Sequence, residues 1–199
     1  MKARDLVISI CSVCDIKNFI ETNHYSHNIN GVKISYCFKV EYNNQLVGGV
    51  IFGALSTTAW KKFSNSEKKV LELRRLYLID EAEKNSESRV IGSCLRHIKK
   101  NDENVELIVS YADPFYGHTG HIYKASNFIY VGLSGKDKGY RHTVTGKMYH
   151  SRALRTKYKG EYKPFVKKLR QALKDGLLES VDLPGKHCFV FKLKKNKKK

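Results

Sequence analysis

Alternation with a period of two dominates the first half of the chain. In VKISYCFKV, Ile34, Tyr36, Phe38 and Val40 alternate with smaller or polar residues, and QLVGGVIFG follows across Asn43-Asn44. The two runs therefore predict an antiparallel hairpin with one half-buried face. VLELRRLYLI predicts a longer strand with Leu71, Leu73, Arg75, Tyr77 and Ile79 on one side, which puts a guanidinium on an otherwise apolar face. The period then changes. Val90, Ile91, Cys94, Leu95 and Ile98 form a helical stripe behind Asn85 and Ser86, both cap candidates, so a helix starts near Ser86. VELIVSYADP is again a strand, ending at Asp113-Pro114 because a residue before proline avoids the helical region. Gly117, Thr119 and Gly120 admit a tight entry into a short helix through Tyr123 and Ala125, and FIYVGL returns to strand.

Towards the ends the pattern is shorter. Asp15 predicts the cap of a helix whose Ile16, Phe19 and Ile20 share a face, and NHYSHN follows it. The basic stretch RHTVTGKMYHSRALRTKY predicts a strand at its start. KPFVKKLRQALKDG predicts an amphipathic helix between Pro164 and Gly176, and KHCFVFKL a last strand. Paired strands followed by strand, helix, strand, helix and strand predict a mixed α/β sheet with helices on its faces. With 199 residues there is material for one sizeable core, so residues 1–191 predict a single domain and 192–199 a lysine-rich tail.

Charge changes the picture. The formal net charge is +18, and discounting the six lysines of KLKKNKKK still leaves +12 on the body. Such a field attracts polyanions, of which nucleic acid is the commonest large one, because each neutralised phosphate releases counterions. Five scattered cysteines do not form a disulfide framework, and the CSVC pair at Cys11 and Cys14 lacks the second pair that a four-ligand zinc site needs. The N-terminal apolar run ends at Asp15, too short for a membrane span. A soluble protein of a reducing, intracellular compartment is expected.

Several residues invite chemistry. The helix start at Asn85 to Arg89 presents unpaired N–H groups and a positive dipole to an anion, with a hydroxyl at Ser88 and a cation at Arg89, although the loop matches no glycine-rich phosphate motif. Arg75 needs an anionic partner to offset its desolvation, and Glu72 or Asp113 would serve as a purely structural one. Asp113 lies at a strand's carboxyl end, where open α/β sheets place crevices, and is suited either to accept a proton or to cap the next turn. His24, Tyr25 and Tyr123 taken singly are ordinary polar or half-buried residues.

Together these stretches resemble one family. NHYSHN, LELRRLYLIDEAEKNSESRVIGSCLRHIKK, SYADPFYGHTGHIYKASNFIYVG, HSRALRTKY and PGKHCFVFKL are similar to the Mom family of bacteriophage DNA-modification proteins, which are in turn similar to GCN5-related N-acetyltransferases, the GNAT fold. The resemblance implies a mixed, mostly antiparallel central sheet with helices on both faces, and an acyl-CoA donor, acetyl-CoA, entering between central strands. It implies adenine in double-stranded DNA as acceptor, N6-carbamoylmethyl (methylcarbamoyl) adenine as product, and protection of phage DNA from restriction enzymes in the bacterial cytoplasm. By matched motif, Tyr25, Arg75, Asp113 and Tyr123 are its catalytic residues, Ser88 and Arg89 hold cofactor phosphates, and His24 is a metal ligand with iron as the metal. Tyr111 and Tyr116 join Tyr123 as candidates to stack on or hydrogen-bond the base, which has to leave the duplex to react. Two other classes are open at this point: an acetyl-CoA-dependent N-acetyltransferase acting on a protein or small amine, and a noncatalytic DNA-binding protein of the same fold.

Overall fold

Seven strands and three helices account for most of the chain's core, and strand alternation decides which helix lies on which face. The computed structural model describes residues 1–29, 33–56 and 58–193, so most of the expected tail, 194–199, lies outside the described residues. The chain divides into two compact units, Met1–Ala112 with Thr119–Gly132 and His187 onward, and Asp113–His118 with Leu133–Lys186. The expected domain over residues 1–191 is thus built from two bodies, each with a sheet of its own.

The first unit begins with β1 (Val7–Ile10) and α1 (Val13–Asn23). Ser12, rather than the expected Asp15, is the N-cap: its hydroxyl accepts from Cys14 N, while Asp15 accepts from Ser12 N at 2.8 Å, the reciprocal capping box. The hairpin β2 (Ile34–Tyr42) and β3 (Gln45–Ala54) turns at Asn43 and Asn44, both with positive φ, as a two-residue hairpin loop demands. Then follow β4 (Val70–Leu78), α2 (Ser86–Asn101), β5 (Leu107–Ala112), the short α3 (His121–Ala125) and β6 (Ile129–Leu133). The second unit carries β7 (Asp137–His142), β8 (Met148–His150), a small hairpin β9 (Lys157–Tyr158) and β10 (Glu161–Tyr162), α4 (Pro164–Lys174) and β11 (Leu178–Leu183). Finally β12 (His187–Lys192) returns to the first.

The large sheet has the order β1-β2-β3-β4-β5-β12-β6, antiparallel from β1 through β4 and between β5 and β12, and parallel between β4 and β5. Phe38, Val50, Phe52, Leu73, Ile108 and Phe189 point to one face and pack under Val90, Ile91, Cys94, Leu95 and Ile98 of α2. Each of those α2 aliphatics stabilises the fold by about 1.5–3 kcal/mol. Cys37 and Ile51, one position out of phase, face the other way and meet Ile16 and Ile20 of α1. The expected mixed, mostly antiparallel sheet with helices on both faces is what the chain forms.

The expected face of β4 also fails. Arg75 pairs with Ile51 and Leu73 with Phe52, so Arg74 is an extra residue in β4, a β-bulge. The bulge shifts the alternation by one. Leu71, Leu73, Leu76 and Leu78 lie on the α2 face, whereas Tyr77 packs with the α1 cluster, and Arg75 goes with it. The predicted common face of Leu71, Leu73, Arg75, Tyr77 and Ile79 does not exist, because a period-two reading cannot see an inserted residue.

The second unit forms a three-stranded sheet, β11-β7-β8, covered by α4 through Leu154, Leu169 and Leu178. Among the described residues no helix is long and apolar enough to cross a membrane.

Candidate active site

β4 and β5 are paired only from Val70–Leu107 to Leu73–Ser110, and the bulge at Arg74 begins where that pairing stops. At the last rung Ser110 Oγ donates to Leu73 O at 3.3 Å. Beyond it the two parallel strands share no further rungs, which opens the sheet between its central strands. Three groups of candidate residues lie in the first unit.

On the α1 side, His24, Tyr25 and Arg75 come together. Arg75 Nε donates to Asn28 O at 3.1 Å, and Nη1 donates to Arg74 O at 2.7 Å. Burial lowers the pKa of this guanidinium, the Tyr25 hydroxyl opposes that shift, and the charge of Arg74 adds to it. Neither carboxylate suggested by the sequence is its salt-bridge partner: Glu72 pairs with Arg74 at 3.0 Å and Asp113 with Lys186. His24 is buried and packs against Tyr25, the two rings tilted by 32° with centroids 4.3 Å apart. Its Nδ1 lies 2.9 Å from Ser26 Oγ and accepts from Ser26 N at 3.1 Å. With Nδ1 accepting, the ring proton falls on Nε2, so neither nitrogen presents a lone pair. Among the described residues no three His, Cys, Asp or Glu side chains cluster as a metal site. The described residues therefore supply no set of ligands for the iron expected at His24.

On the opposite side, α3 carries Tyr123. It is buried between Phe128 and Phe189, with centroids at 5.7 and 5.4 Å, and shares a hydrogen bond with Ser110 at the last rung of the opening. Burial raises its pKa while Ser110 opposes the shift, so the phenol keeps its proton at neutral pH. Gly120 makes this packing possible: with φ +77 it starts α3, and a Cβ there would overlap the Phe189 ring. Tyr111 points to the other face, against Cys188 and Val109, and burial raises its pKa as well.

The third group is the start of α2. Asn85 sits in the left-handed region at φ 72 and makes no side-chain cap hydrogen bond, against the capping expected of it. Ser88 Oγ donates to Asn85 O at 2.9 Å, and Arg89 Nη2 to Arg4 O at 3.2 Å. Ser86 is fully buried, and its hydroxyl has no hydrogen-bond partner. A cleft of about 230 Å³ opens beside this helix end, lined by Glu83, Lys84, Asn85, Glu87, Ser88 and His121 among others. The uncapped helix end, Lys84 and Ser88 suit an anion such as the phosphates of an acyl-CoA, while Glu83 and Glu87 oppose it. Arg89 is turned to Arg4 O and does not line this cleft.

Asp113 belongs to the second unit. Its Oδ1 accepts from Phe115 N at 3.1 Å, capping the turn Pro114–Tyr116, and its Oδ2 lies 2.8 Å from Lys186 Nζ. Lys186 was missed in the sequence, since it lies 73 positions from Asp113 in a stretch without clear periodicity. Tyr116 is half exposed, its pKa raised by partial burial and by Asp113.

A family model described as the Mom protein family matches residues 5–199. The chain belongs to the Mom family. It is 30% identical over 152 residues to the methylcarbamoylase mom of Escherichia phage Mu, a match covering 74% of this chain and 61% of that protein. This Mom protein thus spans about three fifths of that relative's length. Two solved structures share its fold: yncA from Salmonella typhimurium, with its cofactor acetyl-CoA (TM-score 0.53, 8% identity, 96% of each chain), and NAA60 from Arabidopsis thaliana in complex with acetyl-CoA (TM-score 0.53, 8% identity, 94% of this chain and 98% of that one). The opened β4–β5 pair thus lies in a GNAT-type sheet.

Proposed function

We propose that this Mom protein modifies adenine in double-stranded DNA, converting it to N6-carbamoylmethyl adenine with an acyl-CoA donor, and so protects phage DNA from restriction in the host cytoplasm. The observation that carries this reading is the 30% identity to the methylcarbamoylase of phage Mu within a family match running through nearly the whole chain. The net charge of +18 supports a nucleic-acid substrate, and the cofactor of the yncA structure supports acetyl-CoA as donor.

Bound acyl-CoA supplies an activated two-carbon unit. The start of α2, with Ser88 and the free backbone N–H groups, holds its phosphates, and the opening beyond Leu73 and Ser110 admits its acyl arm. Tyr123, kept protonated by burial, holds a proton for the departing thiolate. The adenine amino group is a poor nucleophile because its lone pair is delocalised into the ring, so it needs orientation and a proton acceptor. By the family's matched motifs, the carboxylate assigned to accept that proton is Asp113, and Tyr25 and Arg75 are assigned to orient the base. Acyl transfer alone would leave N6-acetyl adenine. The carbamoylmethyl product joins N6 to the methyl carbon of the two-carbon unit instead of its carbonyl carbon and gains an ammonia-derived nitrogen with loss of two hydrogens, which needs a nitrogen donor and a two-electron oxidant. These residues are therefore assigned only to donor binding, orientation and proton transfer.

Co-expression of the protein or Asp113→Ala with a plasmid, followed by nucleoside digestion and mass spectrometry, tests the proposal. A carbamoylmethyl deoxyadenosine made by the wild type and lost in the variant supports it. Unmodified or merely acetylated deoxyadenosine from folded wild-type protein overturns it.

A further inference from the structure

The second unit holds fourteen lysines and arginines against six carboxylates, and the excess is concentrated in one stretch, the β9–β10 hairpin and the start of α4. Between Lys157 and Arg170 stand six cations, Lys157, Lys159, Lys163, Lys167, Lys168 and Arg170, with Glu161 as the one carboxylate. Among the described residues none of the six forms a salt bridge, although ion pairs are made elsewhere in the same unit at Arg141–Glu179 and Lys186–Asp113. A cluster of like charges left uncompensated destabilises its own fold by self-repulsion, and a polyanion relieves that repulsion.

The hairpin β9–β10 gives the cluster a shape. It turns at Lys159 and Gly160, with φ 48 and 85, so only two residues form each strand. Two tyrosines hold the cations in place. The Nζ atoms of Lys159 and Lys163 both lie 5.8 Å from the Tyr158 ring centre, and Lys157 Nζ and the Arg170 guanidinium lie 4.9 and 4.5 Å from that of Tyr162. Tyr158 is 63% exposed despite its apolar ring. Resting on aromatic faces limits the conformational freedom of these long side chains and presets their charges for phosphate contact.

We propose that the β9–β10 hairpin and the first turns of α4 form a clamp for the phosphate backbone of duplex DNA. This rests on the reading of duplex DNA as substrate and adds the surface that grips it. Its contacts are charge to phosphate, so the clamp raises affinity for any duplex and leaves sequence preference to other residues.

The test is binding of the full-length protein to a short fluorescein-labelled duplex, by anisotropy across a salt series. Each phosphate contact contributes about 0.9 to the slope of log affinity against log salt. The triple variant Lys157→Ala, Lys159→Ala, Lys163→Ala is expected to lose about 2–3 of that slope and roughly tenfold or more in affinity near 0.1 M salt. The control triple Lys17→Ala, Lys99→Ala, Lys100→Ala removes equal charge elsewhere and is expected to keep the wild-type slope within about 1. The arginine version of the hairpin triple, which keeps charge and ring contact, is expected to bind as wild type and so separates lost charge from misfolding. A hairpin triple that keeps the wild-type slope, or a control triple that loses as much, overturns the clamp while leaving DNA modification standing. Tighter binding to single-stranded RNA than to duplex DNA also overturns it. Wild-type protein that binds no DNA at any salt defeats the parent reading as well.

Discussion

Arg75 Nε donates to the backbone carbonyl of Asn28 at 3.1 Å, tying the middle of β4 to the segment that carries His24 and Tyr25. The bulge at Arg74 turns Arg75 away from α2 and makes this contact possible. Arg75→Lys retains a charge but not the planar fork that reaches two carbonyls at once. Expected is a loss of roughly 10- to 100-fold in plasmid adenine modification, on the scale of a mispositioned reacting group. The melting temperature should fall by less than about 4 °C, the shift that accompanies about 1 kcal/mol in a domain of this size. An Arg75→Lys protein with full activity would remove Arg75 from the site.

At the start of α2, Ser88→Asp sets two effects against each other. A carboxylate in the first turn favours the helix dipole by about 0.3–1 kcal/mol, so the ligand-free protein is expected to melt no lower than wild type. The same carboxylate repels phosphates in the adjoining cleft. The rise in melting temperature on adding acetyl-CoA should therefore shrink or vanish, which differential scanning fluorimetry reads directly. An undiminished rise would place the cofactor phosphates elsewhere.

How far these residues were legible in the sequence depended on the kind of signal. The α2 stripe from Val90 to Ile98 and the Asn43-Asn44 hairpin were plain, because periodicity and turn chemistry are local. The face of Arg75 was misread because one extra residue in a strand inverts everything after it while leaving the composition unchanged. The opening between β4 and β5 is a long-range property of register, and nothing local at Leu73 or Ser110 announces it. The matched motifs singled out Tyr123 and Ser88, which lie beside Ser110 and in the α2 cleft, but could not show that His24 Nδ1 is taken by Ser26 or that Asp113 pairs with Lys186. The strand β11 and the β9–β10 hairpin escaped because lysines, glycines and short apolar runs there obey no single period.

A pH dependence follows from Tyr36. Its hydroxyl donates to Asp102 at 3.1 Å, and burial, then that hydrogen bond, then the Asp102 charge push its pKa from 10.0 up to about 12. Because the folded state holds the proton more tightly than the unfolded one, the contribution to stability is complete below pH 10 and is lost as pH rises towards 12. Urea titrations across that window should show wild-type stability falling, and falling less steeply in Tyr36→Phe. Equal slopes would mean that the phenol titrates alike in both states.

The pair Asp113–Lys186 separates a structural from a chemical role for the carboxylate. Asp113 is nearly buried and Lys186 about half exposed, with 2.8 Å between them. Removing the lysine as Lys186→Met keeps the aliphatic stem and leaves a buried carboxylate with Phe115 N as its one donor among the described residues, at a cost of about 1–3 kcal/mol. If Asp113 only caps its turn, modification should track the remaining fraction of folded protein, and lowering the temperature should restore it. If Asp113 accepts a proton from the amino group, Asp113→Asn, which keeps an oxygen for Phe115 N but removes the base, loses roughly 100-fold or more of the modification while staying folded. The proposed function predicts that loss, measured with purified protein and duplex DNA beside a melting curve. An Asp113→Asn protein as active as wild type would return Asp113 to a structural role.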